Sequence, residues 1–312
     1  MNLRKKIVIT GGLGHIGSGL FKEINKYFPN FTIYLIDDLS SNNFQSLYNL
    51  SKKIKLYFFN KNIIDINSIS LLQKIKKIDY VIHLAAQTNA TNSFKHPRKL
   101  YQNNYQGTKQ VVNFCIKKKS KLIFISSTSI YGTNSNLLDE NTSNLNPETP
   151  YALCKLKEEN FIKKNSKNIK FTIFRFGTIF GVTPGIRFHT AVNKFCYQAS
   201  ISEPLTIWKN AYNQKRPYLD VEDGIRAIIF IINNNVFKNE IYNILTNNYK
   251  VSTIVKYIKK FKKIRIKYVD SYILNQTSYN VSNLKFKNLG FNYKGDIKKQ
   301  IKNTLNLLNN IK

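Results

Sequence analysis

Tyr151 and Lys155 stand four residues apart, directly after Pro150. Proline is comfortable in the first turn of a helix, and on that helix positions i and i+4 share a face. An ammonium beside a phenol favours the phenolate and draws the tyrosine pKa towards working pH. Such a tyrosine can take a proton from a hydroxyl, or return it, while a hydride moves at the same carbon. A run of hydroxyls, Ser126-Ser127-Thr128-Ser129-Ile130-Tyr131-Gly132, follows the apolar residues 122–125. It sits at the C-terminal end of an expected strand, where ligands bind in open parallel sheets. A hydroxyl there can hydrogen-bond the oxygen that the tyrosine deprotonates. Taken singly, each feature also has a plain structural role: a solvated helix face, a serine-capped turn.

A hydride needs an acceptor. Thr10-Gly11-Gly12-Leu13-Gly14-His15-Ile16-Gly17 lies where a first strand turns into a helix. Gly11 permits the tight turn, Gly14 lets backbone approach a pyrophosphate, and Gly17 lets the helix pack on the strand. The helix N-terminus offers free N–H groups and a positive dipole end to phosphates. Asp37 closes the next apolar run, twenty residues after Gly17. A carboxylate there accepts both ribose hydroxyls of the adenosine and repels a 2′-phosphate, so the expected cofactor is NAD rather than NADP.

These groups must be held by a scaffold, and the chain shows one. Apolar strands are expected at 6–10, 32–37, 54–59, 80–84, 121–126 and 170–176. Amphipathic helices are expected between them, at 16–27, 66–75, 97–118 and 150–165. Continuously apolar strands alternating with helices imply an α/β fold, a doubly wound parallel sheet covered on both faces. From about residue 181 the pattern is less regular. Helices are expected at 189–199, 221–232 and 297–309, with a strand at 204–208. Residues 132–149 read as a long polar loop, a length usually functional. The expected organisation is a dinucleotide-binding domain over 1–180 and a smaller substrate-binding region over 181–312. A segment near 215–247 returns to the first domain.

Composition sets further bounds. The 312 residues carry 49 Lys and Arg against 17 Asp and Glu, a net charge of +32. A polyanion partner is one reading of that excess. However, the lysines are scattered and come with abundant Asn, Ile, Phe and Tyr, a set encoded by AT-rich codons. Aromatic residues are not interleaved with them as in RNA-binding motifs, so the charge reads as compositional and no nucleic-acid partner is expected. No apolar run reaches the roughly 18–20 residues of a membrane span. Cys115, Cys154 and Cys196 form neither a CxxC pair nor a disulfide framework, and no metal site is expected. A cytoplasmic protein is the expectation.

Together these motifs resemble the extended short-chain dehydrogenase/reductase family, in particular its NAD-dependent nucleotide-sugar epimerases and dehydratases of the UDP-glucose 4-epimerase type. The resemblance runs from Lys6 to about Leu245 with the motifs in the family's order. Gly11, Gly14 and Gly17 match TGxxGxxG. Asp37-Asp38-Leu39 looks like the segment closing on the adenosine ribose. His83-Leu84-Ala85-Ala86 matches the HxAA strand end, and Asn104 to Thr108 the NxxGT helix. Asn62 occupies the place of an Asp that meets the adenine amine. Arg175 to Gly181 looks like R-x-x-N-x-Y-G, with Thr178 replacing the substrate-contacting Asn. Arg216 to Asp223 looks like R-D-x-I-H-V-x-D, and Tyr242-Asn243-Ile244 like a late strand returning to the first domain.

The resemblance makes Ser127 the catalytic hydroxyl, Tyr151 the acid/base and Lys155 its partner. It implies a cofactor set of Gly11, Gly14, His15, Ile16, Gly17, Asp37, Asp38, Asn62, Ile63, Leu84, Ala85, Ala86, Asn104 and Ser126, joined by Tyr151 and Lys155. The implied substrate set is Thr88, Ser127, Thr178, Arg187, Asn193 and Arg216, with Arg216 gripping the nucleotide diphosphate. Lys194, Trp208 and Tyr212 are further candidates near the nucleotide, and His189 reads as structural. The helices at 97–118 and 150–165 pair subunits in the resembled family, so a homodimer is expected.

The resemblance also bears on the reaction. Dehydratases of that family carry an Asp-Glu pair directly after the catalytic hydroxyl; here stand Thr128 and Ser129. The decarboxylases have Glu at Ser129, and the 3,5-epimerases a Cys near it. What remains needs only Ser127, Tyr151, Lys155 and NAD: epimerisation at sugar C4 through a transient 4-keto sugar. A one-way 4-keto reductase or 4-dehydrogenase would use the same residues. Rival classes are a non-catalytic NAD sensor, against which the Tyr-x-x-x-Lys pair stands, and a basic nucleic-acid-binding protein on this fold.

Overall fold

A computed structural model describes residues 4–134, 136–270 and 279–309. Its centre is a seven-stranded sheet, all parallel, in the order Glu240–Ile244, Lys170–Phe176, Lys121–Ser127, Tyr80–His83, Lys6–Thr10, Thr32–Asp37, Lys55–Asn60. Six of these fall where the apolar runs place strands, within a residue at each end. The strand Glu240–Ile244 adds an edge beside Lys170–Phe176. Its neighbour in sequence, the helix Val221–Asn233, packs on the first helix, Gly17–Tyr27.

The continuous apolarity of the strands has a direct cause. Alternate side chains point to opposite faces, and both faces are covered. Ile7 and Ile9 belong to one buried cluster with Phe21, Leu35 and Ile228. Val8, between them, belongs to a second with Ile36, Val112 and Phe124. A third cluster, including Phe180, Val192, Phe195, Ile254 and Ile301, holds the C-terminal region together. It surrounds a small sheet of Asn247–Lys250, Lys215–Asp220 and Thr178–Phe180 and a parallel pair of Leu205–Trp208 with Ile266–Val269.

Several elements differ from their expectation. The stretch expected as one helix at 66–75 is a 3₁₀ segment, Ile63–Ser68, followed by the short helix Ser70–Lys74. Asn62 starts it by accepting the Ile64 N–H at 3.0 Å. The long helix at 97–118 is helical throughout but contains a π turn, Gln102–Gln106. Such insertions recur at functional sites. Within the polar loop at 132–149 a short strand, Leu137–Leu138, pairs with Asn280–Val281. The helix expected at 189–199 is Ala191–Ser200, and the one expected at 297–309 ends at Leu307. Val251–Lys259 is a further helix.

The first strand, Lys6–Thr10, has Thr32–Asp37 on one side and Tyr80–His83 on the other. Chain order therefore reverses here, and a crevice opens at the strands' C-terminal ends. Every element described below meets in it.

Candidate active site

The first turn after Lys6–Thr10 is shaped for close approach. Gly11 has φ +65°, and a Cβ on it would lie 2.6 Å from the Ala85 backbone nitrogen. A Cβ on Gly17 would lie 2.5 Å from the Gly11 carbonyl oxygen. Helix, turn and fourth strand are thus in contact without room for a methyl group. At Gly14 an added Cβ would project towards the Arg187 guanidinium, 3.4 Å from Nη2, across the opening of the groove. The cradle fits a dinucleotide pyrophosphate.

Asp37 lies at the next strand end and lines the same cleft. Its Oδ2 accepts the Leu13 N–H and its Oδ1 the Leu39 N–H, both at 3.0 Å. Each oxygen keeps a second lone pair for a ribose hydroxyl. Burial pushes its pKa up, and the two backbone hydrogen bonds oppose that. Asn62 donates to Asp38 Oδ2 at 3.2 Å, which fixes the pair beside the adenosine end.

The cleft has a volume of about 700 Å³. It collects residues far apart in sequence: Gly11, Gly14, His15, Ile16, Gly17, Asp37, Asp38, Asn62, Ile63, Leu84, Ala85, Ala86, Ser126, Ser127, Tyr151 and Lys155, with Thr88, Thr178, Arg187 and Arg216. Lys194, His189 and Trp208 also line it. Ser126 Oγ is buried with no hydrogen-bond partner among the described residues, as suits a hydroxyl that meets a ligand.

Tyr151 is brought to the floor by the start of its helix, Pro150–Lys164. Thr149 caps it, accepting the Ala152 N–H at 3.0 Å, and Pro150 takes the first position. The phenol shares the cleft with Ser127, at the end of the strand Lys121–Ser127. Ser127 Oγ also accepts from the Ser129 N–H at 3.1 Å and the Ser129 hydroxyl at 2.9 Å. Burial raises the Tyr151 pKa, and Lys155 works against it. Lys155 is itself buried, with its ammonium 4.6 Å from the centre of the Phe124 ring.

Other residues are placed differently. Both ends of the Asn193 side chain, on the helix Ala191–Ser200, are occupied by the segment before that helix: Oδ1 accepts the Gly181 N–H at 3.2 Å and Nδ2 donates to the Arg187 carbonyl at 3.0 Å. It is fully buried and stands outside the cleft lining, so it shapes the wall from behind. Asn104 is likewise one step back. Its amide accepts from Gln87 N–H at 2.8 Å and donates to Gln87 O at 2.9 Å, fixing the strand-end segment. Arg187 donates to Thr88 Oγ1 at 2.7 Å and lies beside Gly14. Arg216 sits 5.8 Å from the centre of the Tyr279 ring. Tyr212 turns to Tyr268 in an edge-on contact. His15 Nε2 donates to the Gly181 carbonyl at 2.8 Å, and burial pushes its pKa down to about 4.

One residue the motifs do not signal is Glu158, fully buried one turn after Lys155 with its Oε2 3.2 Å from Nζ. Its spacing from Lys155 was the available signal, and the charged run Lys157-Glu158-Glu159 disguises it as a solvated face. The cysteines are free and buried. Among the described residues, no helix is long and apolar enough to cross a membrane.

Residues 7–244 match the model of the NAD dependent epimerase/dehydratase family. A dTDP-D-glucose 4,6-dehydratase of Dictyostelium discoideum is 32% identical over 260 residues, 78% of this chain. The match spans 58% of that relative's length. The Bos taurus dTDP-D-glucose 4,6-dehydratase is 27% identical over 96% of this chain and 88% of its own. Among solved structures, a UDP-N-acetylglucosamine 4-epimerase from Methanobrevibacter ruminantium M1, in complex with UDP-N-acetylmuramic acid, superposes with a TM-score of 0.84 at 24% identity, covering 97% of both chains. The Thermus thermophilus UDP-glucose 4-epimerase, in complex with NAD, gives 0.84 at 20% identity over 98% of this chain and 100% of its own. At these identities the likeness is one of fold.

Proposed function

The chain belongs to the NAD-dependent epimerase/dehydratase family, and within it we propose that this protein is a nucleotide-sugar epimerase acting at sugar C4. The observation that carries the reading is the placement of acids. Among the described residues that line the cleft, the only carboxylates are Asp37 and Asp38, both at the adenosine end. Around Ser127 and Tyr151 stand hydroxyls instead. Thr128 is buried with its hydroxyl 3.3 Å from the Phe176 carbonyl, and Ser129 donates to Ser127. The dehydratases of the resembled family protonate the departing hydroxyl with a carboxylic acid, and none of the described lining residues supplies one at that end. Removing and returning one hydroxyl proton needs only a phenol and its partners.

Tyr151 takes the proton of the sugar 4-hydroxyl, and the Lys155 charge steadies the resulting phenolate. Ser127, which lines the cleft with Tyr151, meets the same oxygen and orients it. NAD, which the Gly11–Gly17 turn and Asp37 would hold, would supply a hydride acceptor and donor at C4. The 4-keto sugar turns over between the two transfers, receives hydride on its other face, and takes its proton back from Tyr151. Proton and hydride each leave and return once, so no net redox change accompanies turnover. Arg187, Lys194 and Arg216 bring cationic groups to the cleft that suit the two phosphates of an NAD and a nucleotide sugar.

The test is incubation with UDP-, GDP-, CDP- and dTDP-sugars plus NAD, with C4 epimers read by NMR. A C4 epimer formed without net cofactor reduction, and lost in Tyr151→Phe, is expected. Stoichiometric cofactor turnover would assign a reductase or dehydrogenase instead. A 4-keto-6-deoxy product would assign a dehydratase. Epimerisation undiminished in Tyr151→Phe would overturn the role of Tyr151.

A further inference from the structure

Lys155 is charged, buried and in need of a counter-ion, and the helix supplies one at the next turn. Glu158 is fully buried, and its Oε2 has the Lys155 ammonium at 3.2 Å with no hydrogen-bond partner among the described residues. Oε1 accepts from the Thr108 hydroxyl at 2.5 Å. Thr108 Oγ1 is also 3.0 Å from His83 Nε2, and His83 Nδ1 is 2.7 Å from Thr10 Oγ1. Thr10 Oγ1 in turn accepts the Ala85 N–H at 3.2 Å.

The ends of this chain fix its direction. A backbone N–H can only donate, and an ionised carboxylate can only accept. The Thr108 proton goes to Glu158, so His83 Nε2 must carry a hydrogen and donate to Thr108. Thr10 then donates to the bare Nδ1. Every link has one donor and one acceptor if Glu158 is ionised and His83 neutral. Burial keeps His83 neutral, pushing its pKa down to about 3, with Lys155 adding to the effect.

We propose that Glu158 is a positioning residue for the acid/base pair: the counter-ion that anchors Lys155 and sets the net charge the Tyr151 phenol faces. The proposal rests on the reading of Tyr151 and Lys155 as that pair. With Glu158 ionised, the ammonium is largely offset and Tyr151 holds its proton more tightly. Burial raises the Tyr151 pKa; Lys155 lowers it and Glu158 raises it again. For Lys155 itself burial lowers the pKa, but Glu158 and Tyr151 outweigh it and the net shift is upward. The remaining titratable neighbours are neutral His83, the Cys154 thiol, which burial pushes up to about 12, and the charged Arg187 across the cleft. Glu159, next along the chain, is spent on Arg175.

The test compares Glu158→Gln, Glu158→Asp and wild type by ultraviolet difference titration of the tyrosinate band, with Tyr151→Phe subtracting the other tyrosines. In Glu158→Gln the Tyr151 midpoint is expected to fall by about one pH unit or more, a tenfold easier deprotonation, because an offsetting charge has gone. In Glu158→Asp, which keeps the charge but withdraws it, the midpoint should fall between. The corresponding limb of the kcat/KM profile should move with it. An unchanged midpoint in a folded Glu158→Gln overturns the proposal; if that variant does not fold, an unchanged midpoint in Glu158→Asp does so. Turnover by Tyr151→Phe would instead remove the acid/base reading, while leaving the titration itself scoreable.

Discussion

The Arg175 guanidinium and the Glu159 carboxylate meet as a buried two-bond pair, Nε to Oε1 at 3.0 Å and Nη2 to Oε2 at 2.8 Å. Glu158 and Glu159 are adjacent, yet their carboxylates diverge, one to Lys155 and one to Arg175. Arg175 also donates to the Tyr131 hydroxyl at 2.9 Å, and that hydroxyl lies 2.9 Å from Asn243 Oδ1. The helix bearing Tyr151 is thereby tied to the strand Lys170–Phe176, and through it to the edge strand.

Breaking such a pair leaves an uncompensated charge inside the protein. Glu159→Gln and Arg175→Met should each destabilise the fold by about 3–5 kcal/mol. The double variant should cost far less than the sum, because it strands neither charge. Urea melts of the four proteins measure this. Additive losses would show that the two side chains do not act as a pair.

Much of the cofactor end was legible because its demands are local. A glycine at each of three positions, a strand before and an acid twenty residues on are constraints of type and spacing. Tyr151 and Lys155 were legible for the same reason. What escaped depends on the rest of the fold. Glu158 sits among Lys157, Glu159 and Asn160, a run that reads as solvent-facing until the packing turns it inward. Asn193 looks available on an amphipathic helix, but its amide is consumed by Gly181 and Arg187. The π turn at Gln102–Gln106 carries no period of its own, since the flanking helix hides one extra residue. Val251, Ile254, Val255 and Ile258 do recur at helical spacing, yet scattered lysines and irregular neighbours mask that period in the sequence. The acids missing after Ser127 were legible as absences, and the structure adds that no other carboxylate of the described lining fills their place.

Two buried histidines make the fold acid-sensitive. Burial lowers the pKa of His15 to about 4, Gly181 opposing, and that of His83 to about 3. Both lie below the usual 6.5 of an unfolded histidine. Between those values the unfolded chain binds more protons than the folded one, so stability rises with pH there. It is complete above about pH 6.5 and is lost as pH falls towards 4 and then 3. Asp220 works oppositely. Burial raises its pKa from 3.8 to about 7, so its share of stability is present at low pH and fades as pH approaches 7. The sharpest check is the imidazole NMR resonance of His83, which should stay neutral throughout the range above about pH 4. Titration near 6.5 would contradict it and break the donor order from Ala85 to Glu158.

Arg187 offers a test of where the cofactor's charge is received. Its Nη1 donates to Thr88 Oγ1 at 2.7 Å, and an added Cβ on Gly14 would lie 3.4 Å from Nη2. The guanidinium therefore stands over the turn whose backbone approaches a pyrophosphate, with Asp37 acting on it from the adenosine end. A charge-assisted hydrogen bond contributes about 1.5–3 kcal/mol. Arg187→Ala should accordingly weaken NAD binding by about ten- to a hundredfold. Arg187→Lys should lose less, keeping the charge but not the two-pronged geometry. Calorimetric titration of the free protein with NAD reads this without any sugar nucleotide present. An unchanged Kd for NAD together with a raised KM for the sugar nucleotide would move Arg187 to the substrate side of the cleft.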